Sequence, residues 1–238
     1  MLSFRSMCRF HLPPRFLGSL ALGLASFLAA CAAPLSLDPA RIDIPSAYGI
    51  EAWDQVEAIR FTMQRDAGGR RTSSKWVWEP GPDRVTAYDS FDQPVTWLRG
   101  SVPGQLRERS TVFEHDLRWL LFPLSLSWDT SLTVVDRGAV AGPIGGAPAR
   151  WIQVLEPGAG LSGPGYDLFV DDSGVVREWI IRGPNGESLE TATWSTPVSV
   201  GPISLSLDHF EIDGSYRISF PDVAVKLKDQ DRWIPAAR

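Results

Sequence analysis

The sequence predicts a mainly β, α+β domain in which one large, curved antiparallel sheet is accompanied by two short helices. Three observations predict it. Apolar and polar residues alternate over many short stretches, which is the period of a half-buried strand. Turn-forming clusters such as Asp171-Asp172-Ser173-Gly174 and Asp213-Gly214 separate those stretches at close spacing. Only two segments have helical spacing, and no break suggests a second domain within 46–238.

The chain opens differently. Residues 1–15 hold Arg5, Arg9, His11 and Arg15 and no acid, and residues 16–30 are only small and hydrophobic types. Such a run is short for a membrane span but fits the core of a secretory signal peptide; a short anchor helix is the alternative. It ends at Leu28-Ala29-Ala30-Cys31, which resembles the lipobox of bacterial lipoproteins. That resemblance implies a signal peptide over 1–30 and a mature N-terminus at Cys31 that carries a diacylglycerol thioether and an amide-linked acyl chain such as palmitate. Each buried methylene contributes about 0.8 kcal/mol, so several chains on one residue form a firm membrane anchor. Ala32 follows rather than Asp, which in enteric-type sorting implies the outer membrane, facing the periplasm. Residues 31–45, with Pro34, Pro39 and Pro45, read as a tether to a folded domain over 46–238.

The first helical segment is 46–58, where Ala47, Ile50, Trp53 and Val56 recur at intervals of three and Ser46 is placed to cap. Ile59, Phe61 and Met63 then alternate with polar residues as a strand. Strands over 72–79 and 84–89 flank Pro80-Gly81-Pro82-Asp83, a hairpin-like pair. The second helix is 111–122: Val112, Phe113, Leu117, Leu120 and Leu121 form its apolar face and Pro123 is expected to end it. Strands follow over 131–136, 150–156, 166–170, 175–181, 187–195, 203–212 and 216–220. A last one has Val223, Val225 and Leu227 on one face.

Composition narrows the function classes. The net charge is −5, and removal of 1–30 takes three arginines and no acid, so −5 becomes −8. Nucleic-acid binding needs clustered Lys and Arg, and adhesion to anionic lipid needs the same, so neither is expected of this domain. Both cysteines, Cys8 and Cys31, lie at or before the end of the leader, which leaves none for a disulfide or thiolate metal site in the body. Nothing in the sequence requires a cofactor.

The segment YDLFVDDSGVVREWIIR, 166–182, resembles the LolA/LolB-like superfamily of lipoprotein carriers. So do EAWDQVEAIRFTM at 51–63, KWVWEPGPDRVTAYD at 75–89 and DHFEIDGSYRISFPDVAV at 208–225, in the same order. The resemblance implies a half-barrel of about ten or eleven antiparallel strands, covered on its concave apolar side by short helices, whose cavity receives acyl chains. Cys31 aligns the chain with the membrane-anchored member type, but the stretch 120–126, where an exposed apolar loop would be sought, reads as a helix end.

Ten tryptophans are many for this length. Trp76, Trp78, Trp97, Trp119, Trp128, Trp151 and Trp179 are candidates for an apolar ligand groove, with sheet-core packing as the ordinary alternative for each. Catalytic signals are poor. Glu114-His115-Asp116 are adjacent on a helix and point apart. Alternation places Asp208 and His209 on opposite faces, with Glu211 nearby. Asp171-Asp172 suits a turn, and Ser125 and Ser127 lack a nucleophile elbow. The glycines of 142–146 and 158–165 lack the context of a phosphate loop and read as loops at the groove mouth.

The expected role is therefore that of a non-enzymatic, membrane-anchored envelope lipoprotein that binds or escorts a lipid, an acylated protein or another apolar ligand. A structural or protein-interaction lipoprotein without a small ligand is the first alternative, and an envelope hydrolase the second.

Overall fold

The computed structural model describes residues 43–211 and 213–237. The leader, Cys31 and most of the tether lie outside the described residues, as does Ile212.

Helix α1 (Ile44–Ala47) and a 3-10 turn over 50–55 precede β1 (Val56–Ala67), β2 (Arg70–Glu79), β3 (Arg84–Tyr88) and β4 (Pro94–Leu98). Helix α2 (Arg107–Ser125) follows, then β5 (Thr133–Ala141), β6 (Pro148–Leu155), β7 (Gly165–Val170), β8 (Val176–Arg182) and β9 (Ser188–Trp194). The chain finishes with β10 (Val198–Val200), β11 (Ile203–Leu205), β12 (Asp208–Glu211), β13 (Tyr216–Leu227) and β14 (Trp233–Pro235). The main sheet runs β4-β3-β2-β1-β13-β12-β9-β8-β7-β6-β5, with β14 on the end of β13 and β10-β11 as a separate ribbon. Its pairings are antiparallel, and β4 and β5 form its two free edges. The fold is mainly β, an open and curved sheet of about a dozen strands with few helices.

Several boundaries differ from expectation. The helix expected over 46–58 is a four-residue α-helix and a 3-10 turn, and Val56 is already extended. An interval of three between apolar residues is the period of a 3-10 turn, not of an α-helix. Gly49 separates the two pieces at φ 81, where a Cβ would sit 2.8 Å from the Pro202 carbonyl oxygen. Ser46 caps nothing; its hydroxyl bonds Asp43 and Glu51.

Helix α2 runs beyond both expected ends and carries Pro123 inside its last turn. There the missing N–H releases only the Trp119 carbonyl, and the Ser125 and Ser127 hydroxyls satisfy Phe122 and Leu124 carbonyls at 2.8 and 2.9 Å. The run 203–212 breaks at Ser206-Leu207, so that β11 joins the ribbon and β12 the main sheet. Residues 216–227 form one strand across Pro221, which falls where the β1–β13 register shifts between Thr62 and Gln64. A bulge is where a strand tolerates the missing donor.

The curvature follows from what α2 touches. Phe113 lies 6.4 Å from Trp97 of β4, and Phe122 lies 4.4 Å from Tyr166 of β7. Those strands are eight steps apart in the sheet, roughly 38 Å if it were flat. The two phenylalanines are about 14 Å apart along a helix axis. The sheet must therefore curl around α2, which fills its concave side as core.

The outer face of β6–β8 is covered as well, so all six residues of β7 are buried. Glu178, buried on β8, accepts the N–H groups of Ile144 and Gly145 at 2.7 and 2.8 Å. Gln153 and Arg182 both donate to the Leu161 carbonyl at 3.1 Å. The two glycine-rich loops are thus pinned across the outer face, and 142–146 takes no part in the groove mouth where it was expected.

Candidate functional site

The tryptophans divide. Trp76, Trp97, Trp119 and Trp179 are buried in the core around α2. Trp119 meets Trp179 at 4.5 Å, and Trp76 meets Phe113 at 5.4 Å. The Trp76 indole N–H donates to Asp116 at 2.9 Å. Trp151, half-buried on the outer face, donates to Asp167 at 3.0 Å. Only Trp78 and Trp128 of the seven border an open space. Large rings bury the most apolar area and so go first to the core.

That space is a cleft of about 350 Å³ where the sheet fails to close. Helix α2 forms its floor through Leu117, Arg118, Leu121 and Phe122. One wall comes from the β4 side, with Trp78 and Arg99; the other comes from the β5 side, with Leu132, Glu156 and Tyr166. Trp128, 39% exposed, stands over the opening and stacks on Trp53 at 4.7 Å. Pockets for small molecules span about 300–1,000 Å³, and this cleft lies at the lower end of that range.

Sequence reasoning overlooked Arg99, Arg118, Glu156 and Tyr166. The i, i+4 pair Leu117 and Leu121 beside Arg118 was visible as an apolar helix face bordered by charge. The gap it faces is set by strands on both sides of the helix in the chain, from β2 to β7, and has no local signal.

Electrostatics in the cleft are largely internal. Arg99 makes two bonds of 2.8 Å with Glu114 and one of 3.1 Å with Asp83, and it lies 5.5 Å over the Trp78 ring. Arg118 lies 5.5 Å over the Tyr166 ring, and the Tyr166 hydroxyl donates to Glu156 at 3.5 Å. Burial foremost, with Glu156 nearby, pushes the Tyr166 phenol up to about 12, so it remains a neutral donor.

The acid and histidine clusters are committed elsewhere. Trp119 Nε1 can only donate, so His115 Nε2, 3.2 Å away, accepts; His115 Nδ1–H therefore donates to Asp116 at 3.1 Å. Asp116 is buried and also accepts from Ser74 and Trp76. His209 is buried against Trp119, Trp194 and Phe220, and burial lowers its pKa to about 3. Asp208 faces the other way and pairs with Arg217 at 2.5 Å. Asp171 closes its turn by accepting Ser173 and Val175 N–H groups, while Asp172 is exposed. Among the described residues no group of three or more His, Cys, Asp and Glu side chains is placed to hold a metal ion.

No family model and no curated protein matches the chain. Among solved structures it is similar to a DUF1329 family protein from Desulfovibrio piger, at 8% identity over 80% of this chain and 93% of that one, with a TM-score of 0.44. It is also similar to a LolA superfamily protein from Nitrosomonas europaea, at 10% identity over 79% and 93% of the two chains, with a TM-score of 0.44.

Proposed function

We propose that this protein is a non-enzymatic envelope lipoprotein, held by acylated Cys31 at the periplasmic face of the outer membrane, that shields the acyl part of an amphiphile in the cleft beside α2. The amphiphile is a free lipid or the lipid part of an acylated protein. One observation carries this reading: Leu117, Leu121, Phe122, Trp128 and Leu132 surround an opening that reaches solvent at the sheet's unclosed side. Removal of about 200 Å² of hydrocarbon from water contributes roughly 5 kcal/mol before ordering costs, which suits an exchangeable ligand rather than a permanent one. The leader and lipobox support the location.

Titration with a monoacylglycerol below its micellar concentration, read by tryptophan fluorescence and native mass spectrometry, tests it. A one-to-one complex is expected, weakened roughly fivefold in Trp128→Ala, with a small fall in melting temperature from the lost stack on Trp53. The absence of any uptake would remove the reading. A second reading, docking of a partner protein without a small ligand, is favoured by β5, a nine-residue edge strand with one side unpaired. In-envelope crosslinking from Ala139 or Ala141 that captures one defined neighbour, with the cleft empty, would support it.

A further inference from the structure

Five charged side chains line the cleft: Arg99, Glu114, Arg118, Asp129 and Glu156. Three of them are occupied within the fold. Arg99 and Glu114 hold each other through two bonds, and Asp129 accepts the backbone N–H and hydroxyl of Ser131 at 3.1 and 2.5 Å. Arg118 and Glu156 differ. Neither forms an ion pair among the described residues, although both address Tyr166, one over its ring and one at its hydroxyl. Tyr166 is 3% exposed and is fixed between Phe122 at 4.4 Å and Trp179 at 5.7 Å. A rigid phenol therefore stands between two unlike charges that face one opening and, among the described residues, form no direct ion pair with each other. On α2, Leu121 and Phe122 are three and four residues beyond Arg118, so the cation shares a helix face with the apolar floor.

We propose that this end of the cleft selects an amphiphile whose head carries both a phosphate and an ammonium, with the phosphate on Arg118 and the ammonium on Glu156 and the Tyr166 hydroxyl. The proposal rests on the amphiphile reading above. A planar guanidinium bonds phosphate oxygens in pairs, and an ammonium has three donors for a carboxylate and a phenol oxygen. A purely anionic head would sit beside uncovered Glu156, and a purely cationic head beside Arg118; only a head with both signs meets both side chains with its opposite.

The test compares three single-chain probes at submicellar concentration: lysophosphatidylethanolamine, lysophosphatidylglycerol and monoacylglycerol. The wild-type protein is expected to bind them in that order, with steps of roughly fivefold, the size of a partly exposed charge pair. Arg118→Gln should bring lysophosphatidylglycerol down to the monoacylglycerol or below it, and leave lysophosphatidylethanolamine above lysophosphatidylglycerol through its ammonium on Glu156. Glu156→Gln should abolish the difference between the two phospholipids, read as the ratio of their affinities within the variant. Equal binding of all three probes, or tighter binding of the glycerol head than of the ethanolamine head, would overturn the head assignment while leaving the amphiphile reading intact. Binding of none would remove both. Circular dichroism of each variant checks that folding is retained.

Discussion

At the residue scale, two buried polar side chains govern how the core responds to its surroundings. Asp116 collects hydrogen bonds from Ser74, Trp76 and His115 inside the curl of the sheet. Asp116→Ala strands an indole N–H and a hydroxyl in an apolar interior, so urea denaturation should show a loss of about 2–4 kcal/mol; Asp116→Asn, which keeps an acceptor, should lose less. His209 acts through protons. Its ordinary value is 6.5 and the folded value about 3, so below pH 6.5 the unfolded chain binds a proton that the folded chain refuses. Above that pH the ring is neutral in both states and adds no pH dependence, and stability declines as pH falls from 6.5 toward 3, at on the order of 1.4 kcal/mol per unit. Denaturation midpoints measured at pH 7.0 and 5.5 should separate in the wild type and separate less in His209→Leu. An equal pH response in the two proteins would show that His209 is not the group responsible.

At the scale of elements, α2 is the internal post on which both flanks of the sheet lean. Trp119 alone meets β8 through Trp179, β12 through His209 and β13 through Tyr216. Trp119→Ala should cost about 3–5 kcal/mol by calorimetry or urea, more than a surface substitution on the same helix such as Arg109→Ala. This element was legible in the sequence because Phe113, Leu117, Leu120 and Leu121 repeat at three and four. Its ends were not, because a proline in the final turn deletes one bond that no longer matters. Strands read well wherever alternation was clean, as in 59–64 and 166–170. They failed where tertiary pairing decides the matter: β4, β10 and β14 are short, and β13 crosses Pro221 only because a bulge waits there.

At the scale of the whole molecule, the sequence displayed the materials of the cleft but not their assignment. Tryptophans were its most conspicuous feature, and most of them became the interior that α2 and the sheet share. What remained for a ligand is bounded by residues from opposite flanks, such as Arg99 after β4 and Leu132 before β5, which no local pattern could join. Those flanks also differ in how they are held. Within each flank, strands are tied by backbone ladders, whereas β4 and β5 share none. Hydrogen exchange should therefore show β4 and β5 amides exchanging faster than those of β1 and β13, and ligand should slow the segments beside the cleft, 99–101 and 128–133.

The missing ladder between those two edges also gives the molecule a mechanical character. A closed barrel resists dilation because every increment of girth stretches hydrogen bonds around its full circumference. This one is a split ring: no ladder crosses from β4 to β5, so parting those two edges would break no strand-to-strand hydrogen bond. Girth would then be set by how the two flanks pack on α2, as a spring is set by its core, and not by a closed circuit of peptide groups.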